Sequence, residues 1–286
     1  MAQRVLHHVL RAVLAVALSV CTRAADPPPP DWSPAVHEAL AAYAAGRLDE
    51  TLEVCRSLSE SAPDAAARRD AEALAALTLM THDERAQRAT GRALLLNLAE
   101  HHPETALLDR PECQLALGRA ALGLHETSRA IEWLRKAAQG FQRQGRHRRG
   151  AAALTALAEA WAQHAEWELP IAGVEAPLPR NADEALRVRI DRIQALRAAA
   201  GALPESGDAT DAIDLVLARL YLTNDARRDQ AIPILERIAG GERGLAAADA
   251  ALLLAEQRER QNRWNEALAL YERVARVGDS AQRRRA

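Results

Sequence analysis

Two stretches of the chain carry their residues in the same order, and that order constrains the fold more than any other feature. Residues 250–276 begin with an apolar run, Leu252, Leu253, Leu254 and Ala255. A polar break follows at Gln261, Asn262 and Arg263, and a second run opens with Trp264 and carries Ala267, Leu268, Leu270, Tyr271 and Val274. Residues 111–139 repeat the order: Leu115, Leu117, Gly118, Ala121 and Leu122, a break near His125 and Glu126, then Ala130, Ile131, Leu134 and Ala137. Apolar positions spaced in this way mark one face of a helix. Each stretch therefore reads as two short helices joined by a turn. Such a pair is too small to cover its own apolar side, so recurring pairs must stack on their neighbours.

Composition points the same way. The chain is 49% apolar but only 3% aromatic, and its excess of alanine and leucine favours helix nearly everywhere. No stretch alternates apolar and polar residues for long enough to predict a strand. Lys136 is the only lysine; the arginines are spread over the whole chain, as a compositional bias would spread them. The formal charge of −2 argues against a nucleic-acid partner.

Residues 1–24 have the features of a secretory signal. Arg4 and Arg11 make a positive start, residues 12–20 are a short apolar run, and Thr22-Arg23-Ala24 places small residues where a signal peptidase reads them, with cleavage after Ala24. The run is shorter than the roughly 20 residues a membrane span needs. Leu18-Ser19-Val20-Cys21 is similar to a lipobox, which would place lipid on Cys21, although Val20 stands where a small residue is usual. An uncleaved amphipathic start is a third reading. Export to the periplasm or beyond is the expectation, with membrane contact only if Cys21 is lipidated. Removing residues 1–24 takes away Arg4, Arg11 and Arg23 and no acid, leaving the remainder more negative.

Residues 25–33, with four consecutive prolines, read as an extended spacer. Ser33 and Pro34 then suit the start of a helix. From there the pattern is helix, turn, helix: residues 34–45 with 48–60, closed by Pro63; 65–80 with 85–101, closed by Pro103; 111–124 with 126–143. Residues 143–149 read as a basic loop. Residues 151–167 and 184–200 form the next pair, separated by a proline-rich insertion over 169–180, with Asn181 or Asp183 as the cap. Residues 210–222 with 228–238, and 245–260 with 264–277, complete the domain; 278–286 reads as a disordered basic tail.

These residues resemble a tetratricopeptide (TPR) array, whose repeat is about 34 residues long. Leu117-Gly118 matches the first-helix pair of that family, and Ala130, Leu134 and Ala137 its second-helix positions. Ala267 and Tyr271 match in the last pair, and Ala231, Leu235 and Ile238 in the one before; Gly46, Leu48, Leu58 and Pro63 serve the first. Thr51 and Cys55 depart from the pattern, and the second-helix positions are unevenly spaced, the widest gap lying between Ala130 and Ala185. The resemblance implies an all-α, TPR-like α-solenoid of about six antiparallel helix pairs in a right-handed superhelix over residues 34–277.

No catalytic constellation stands out. The chain lacks a glycine-rich phosphate loop, His-Glu-x-x-His, Gly-x-Ser-x-Gly and Cys-x-x-Cys. Cys55 and Cys113 fall in pairs that should not touch, so two buried free thiols are expected in place of a disulfide. His101-His102 ends a helix, where the dipole favours histidine, and offers no complete metal site. Asp208, Asp211 and Asp214 suit helix capping and first-turn acidity better than calcium. Residues 143–149 lack the interleaved aromatics of a base-stacking surface. Trp161 and Trp167 beside the insertion are core candidates or a local contact site.

The reading is therefore a non-catalytic scaffold of the bacterial cell envelope, with no cofactor, no metal, no nucleic acid and no small-molecule substrate. A peptide or partner helix would lie on the first helices, against Tyr43, Arg119, Leu122, Leu220, Thr223, Glu256 and Arg260. The alternatives are a lipid-anchored subunit of an envelope assembly and a helical-toroid enzyme, the latter requiring clustered carboxylates with raised pKa.

Overall fold

The computed structural model describes residues 34–62, 64–164, 179, 181–204, 207–241, 245–278 and 282. Ala24, Cys21, the proline-rich spacer, Ser33, Pro63, Trp167 and most of the insertion and basic tail lie outside them. The described residues are all-helical: twelve α-helices, two short 3-10 turns and no strand. They fall into two compact units, one ending at Leu107 and the other beginning at Leu108.

The first unit holds α1 (Pro34–Ala44), α2 (Leu48–Ser61), α3 (Ala65–Met80) and α4 (Arg85–His101). Each helix packs on the next, and α1 also meets α3. The Asp64 carboxylate caps α3 by accepting a hydrogen bond from the Ala67 N–H at 2.6 Å. Gly91 is needed where α4 crosses α3, because a Cβ there would lie 2.5 Å from the Ala76 carbonyl oxygen. Beyond α4, the Leu107 N–H donates to the buried Asp70 carboxylate at 2.9 Å, holding the end of the first unit against α3.

The second unit holds α5 (Pro111–Gly123), α6 (Thr127–Arg143), α7 (His147–Gln163), α8 (Ala182–Gly201), α9 (Gly207–Leu222), α10 (Arg228–Ala239), α11 (Leu245–Arg260) and α12 (Trp264–Val277). Every helix packs on its successor. One continuous core runs through Ile131, Leu134, Leu157, Trp161, Ile193, Leu217, Leu235, Leu252 and Val274. Close approach of α5 to α6 depends on Gly118, where a Cβ would stand 2.5 Å from Leu134 Cγ. Alanine at Ala130, Ala153, Ala218 and Ala250, all without exposed surface, lets the other helices approach likewise.

Four of the helix–helix turns have one conformation. Gly46, His125, Gly145 and Asn262 take φ of 76°, 61°, 66° and 59°, the left-handed region that ends helices. The residue after each, Arg47, Glu126, Arg146 or Arg263, has φ between −91° and −83°. Its N–H donates back into the helix just finished, to the carbonyls of Ala42, Ala121, Phe141 and Arg258 at 3.0, 3.0, 2.9 and 2.8 Å. Glycine adopts that backbone without steric cost; His125 and Asn262 are among the few side chains that tolerate it.

Two local expectations are corrected. The basic stretch 143–149 is not a loop throughout: the turn at Gly145 is tight enough for α7 to begin at His147, and the arginines that looked solvated converge on a buried carboxylate. The aspartates of α9 are not all caps. Asp208 sits in the first turn, but Asp214 is only 3% exposed and is held by Arg197 of α8 and Arg237 of α10.

Candidate binding face

In the second unit the odd-numbered helices also meet one another: α5 touches α7, α7 touches α9, and α9 touches α11. A row of charged side chains crosses these four helices. Arg119 stands on α5, Glu159 on α7, Arg219 on α9 and Asp249 on α11. Three or four residues further along each helix, and so on the same side of it, come Leu122, Ala162, Leu222 and Leu253. All four are partly exposed and rest on the core. The face thus combines a shallow apolar floor with charges of alternating sign.

The electrostatics centre on Glu159. Burial pushes its carboxyl above the usual carboxylate range, while the charges of Arg119 and Arg219 work against that rise. Neither arginine lies within ion-pair distance of it. Arg219 instead pairs with Asp249 at 2.7 Å, and the Gln282 side-chain amide donates to the other oxygen of Asp249 at 2.8 Å. Arg119 is exposed, with no ion pair among the described residues. Glu159 is therefore a half-buried carboxyl whose desolvation is only partly compensated from within the unit.

The second unit also carries three structural ion clusters. Asp214 and Asp211 of α9 meet Arg197 and Arg237, the Arg237–Asp211 and Arg237–Asp214 contacts both at 2.6 Å. Arg258 of α11, nearly buried, is flanked by Glu236 of α10 and by Glu266 of α12 at 3.4 Å. Glu112 of α5 receives Arg110, Arg146 and Arg149. Burial raises the Glu112 carboxyl, but its own backbone hydrogen bond and the Arg110 and Arg146 charges together hold it below the usual range.

The structure brings some of the sequence-predicted residues together and separates others. Arg119 joins Glu159 through their electrostatic interaction, and Leu122 lies one turn beyond Arg119 on the same face. Glu256 is half-buried on α11 and occupies the place that Arg119 holds on α5: each precedes by two residues the carbonyl that closes its turn, Arg258 or Ala121. Leu220, 5% exposed, belongs to the core; its neighbour Arg219 takes the face. Thr223 is exposed at the end of α9, its hydroxyl donating to the Leu220 carbonyl at 2.7 Å. Arg260 is exposed at the end of α11. Tyr43 lies half-buried on α1 of the first unit.

Glu159, Arg219 and Asp249 were not among the predicted residues. Their relation to Arg119 runs across helices and not along one, so no spacing within a helix records it. Cys55 and Cys113 are buried and joined in no disulfide, and burial pushes the Cys55 thiol up to about 12. His101 hydrogen-bonds within α4 to Asn97, and His102 lies 3.5 Å from Glu104. Among the described residues no group of histidine, cysteine and carboxylate side chains is arranged to hold a metal ion, and no helix is long and apolar enough to cross a membrane. No protein-family model matches the chain, and no curated protein matches it.

Proposed function

We propose that this protein is a TPR-like scaffold, its helix pairs stacked as an α-solenoid within each unit, and that it binds a peptide or partner helix along α5, α7, α9 and α11 without catalysing a reaction. The observation that carries this reading is the face itself. First helices of successive pairs lie against one another and hold Leu122, Leu222 and Leu253 half-exposed beside Arg119 and Glu159. Charged side chains on an apolar floor suit an elongated guest, which would bury the floor and complement the charges. The repeated turn after Gly46, His125, Gly145 and Asn262 supports a common hairpin plan.

Export to the bacterial cell envelope, whether as a free periplasmic protein or tethered by lipid on Cys21, is the setting we propose from residues 1–24. The test of the binding face is an affinity capture from the envelope fraction with the wild-type chain and with Arg119→Ala/Leu122→Ala, compared at equal loading. The variant should keep its melting temperature within several degrees, because Arg119 is exposed and Leu122 only partly buried, and should lose the captured partner. Recovery of the same partner in the same yield would exclude this face.

A further inference from the structure

The three ion clusters of the second unit differ in balance. Around Asp214, two carboxylates (Asp211, Asp214) face two arginines (Arg197, Arg237). Around Arg258, two carboxylates (Glu236, Glu266) face Arg258 and Arg263. The Glu112 cluster does not balance. Arg146 and Arg149 both reach the same Glu112 oxygen, Arg149 at 3.5 Å, and Arg110 lies 3.6 Å from the other. Arg146 and Arg149 alone exceed the one charge they share. Arg148, between them in the chain, makes no contact with Glu112, is exposed and has no ion pair among the described residues. Asp109, the acid beside Arg110 in the chain, pairs with none of them.

We propose that the surface formed by Arg146, Arg148 and Arg149 docks an acidic segment of a partner protein, separately from the face along α5, α7, α9 and α11. The site is preorganised. The guanidinium of Arg146 is held between Glu112 and the ring of Phe141, 5.4 Å from its centroid, and Phe141 is fully buried. Arg149 is anchored by the same carboxylate at one edge and is 46% exposed. A guest carboxylate can take the open donors of Arg148 and Arg149 in a forked, charge-assisted contact while Glu112 stays in place. Side-chain carboxylates fit better than a nucleic acid. Among the described residues the one phenylalanine, tyrosine or tryptophan ring at the site, Phe141, lies beneath Arg146 and cannot stack on a base. The net negative charge of the chain also opposes a long polyanion more than a short acidic segment.

The test measures fluorescence anisotropy of a labelled oligoglutamate peptide with the full chain at low salt. Wild type should bind, with affinity falling as salt is added, and Arg148→Gln/Arg149→Gln should weaken binding by about tenfold. That variant keeps the Arg146–Glu112 pair, so the buried carboxylate is not stranded. The control Arg56→Gln/Arg129→Gln removes the same charge from exposed arginines elsewhere and should leave binding unchanged. Equal weakening by the control would mean attraction to overall charge and would overturn the site, as would no effect of the double variant. Oligothymidylate or anionic phospholipid vesicles binding as tightly as the peptide would overturn the assignment to a protein partner. Should the double variant fail to fold, Arg148→Glu carries the same reading: it must weaken the peptide, and unchanged binding would overturn the proposal.

Discussion

Arg219 of α9 and Asp249 of α11 stand 2.7 Å apart, guanidinium to carboxylate, across two helices that touch. Both side chains retain solvent access, so the pair itself contributes little, about 0–1 kcal/mol. Its position matters more than its strength, because Arg219 is also one of the two cations acting on Glu159. Arg219→Ala should therefore leave the urea midpoint almost unchanged while moving the Glu159 carboxyl further up. A carbon-detected NMR titration of the glutamate side chains reads that shift. A Glu159 resonance that titrates as in wild type would mean that Arg219 does not act on it.

Glu159 and Glu112 should give opposite pH dependences. Glu159 has a raised folded-state value, so between the unfolded glutamate value of about 4.3 and that raised value the folded state holds the extra proton. Stability then falls as pH rises through the window and stays lower above it. Glu159→Gln should be more stable than wild type at neutral pH, with the difference vanishing in acid. Glu112 has a lowered value. Its contribution is present above about 4.3 and is lost as pH falls through the folded value. Glu112→Gln should be less stable than wild type at neutral pH and should converge with it in acid. Urea midpoints at both ends of the range test the two signs.

Removing either side of the Asp214 cluster should not cost the same. Arg197 and Arg237 keep about half their surface in water, whereas Asp214 is buried. Asp214→Asn frees two arginines that can turn to solvent, at a cost of about 1–3 kcal/mol. Arg197→Ala/Arg237→Ala strands a buried carboxylate and should cost about 3–5 kcal/mol. Denaturant titrations of the two variants check the order, and a larger loss for Asp214→Asn would contradict it.

Two glycines on helices should respond oppositely to alanine. At Gly118 the new methyl would meet Leu134 Cγ at 2.5 Å and Cδ2 at 2.7 Å, so Leu134 must move inside a filled core, a cost of about 1–3 kcal/mol. At Gly201, the last residue of α8, nothing lies within 4 Å of the added methyl. Gly201→Ala should be neutral or stabilising by up to about 1 kcal/mol, through the lost freedom of the unfolded chain. Thermal melts of both variants decide the contrast.

Much of the helix pattern was legible because its punctuation is local. Ala65–Met80, Arg85–His101, Leu245–Arg260 and Trp264–Val277 begin and end where the chain alone places them; Asp64 supplies a cap and Asn262 a left-handed turn, each acting within a few residues. The start of α7 was hidden because His147, Arg148 and Arg149 look like solvated charge. Glu112, a long way off in the chain, holds Arg149 in the first turn of that helix and Arg146 just before it. The proposed binding face shows the same limit. Arg119, Leu122 and Glu256 follow from helical spacing, but on α9 the choice of Leu220 misses by one residue. One residue is about 100° of helix, enough to exchange the core for the face that Arg219 occupies. Glu159 draws its importance from α5 and α9, which no spacing within α7 records.

The two cysteines provide a separate probe of each unit. Cys55 lies on α2 of the first unit and Cys113 on α5 of the second, and neither has exposed surface. The thiolate is the reactive form, and burial pushes Cys55 up to about 12, so at neutral pH the folded first unit offers a thiol-reactive probe almost no target. Labelling must therefore follow opening of the unit that holds each cysteine. Pulse alkylation at increasing urea, read by mass spectrometry of the separate peptides so that Cys21 does not interfere, should show both sites protected in water. If the units unfold independently, Cys55 and Cys113 will become reactive at different midpoints; if they unfold as one body, the midpoints will coincide. Gly118→Ala sharpens the experiment, because its strain lies between α5 and α6. With independent units it should lower the Cys113 midpoint and leave that of Cys55 in place. Rapid modification of Cys55 in the absence of denaturant would contradict its burial.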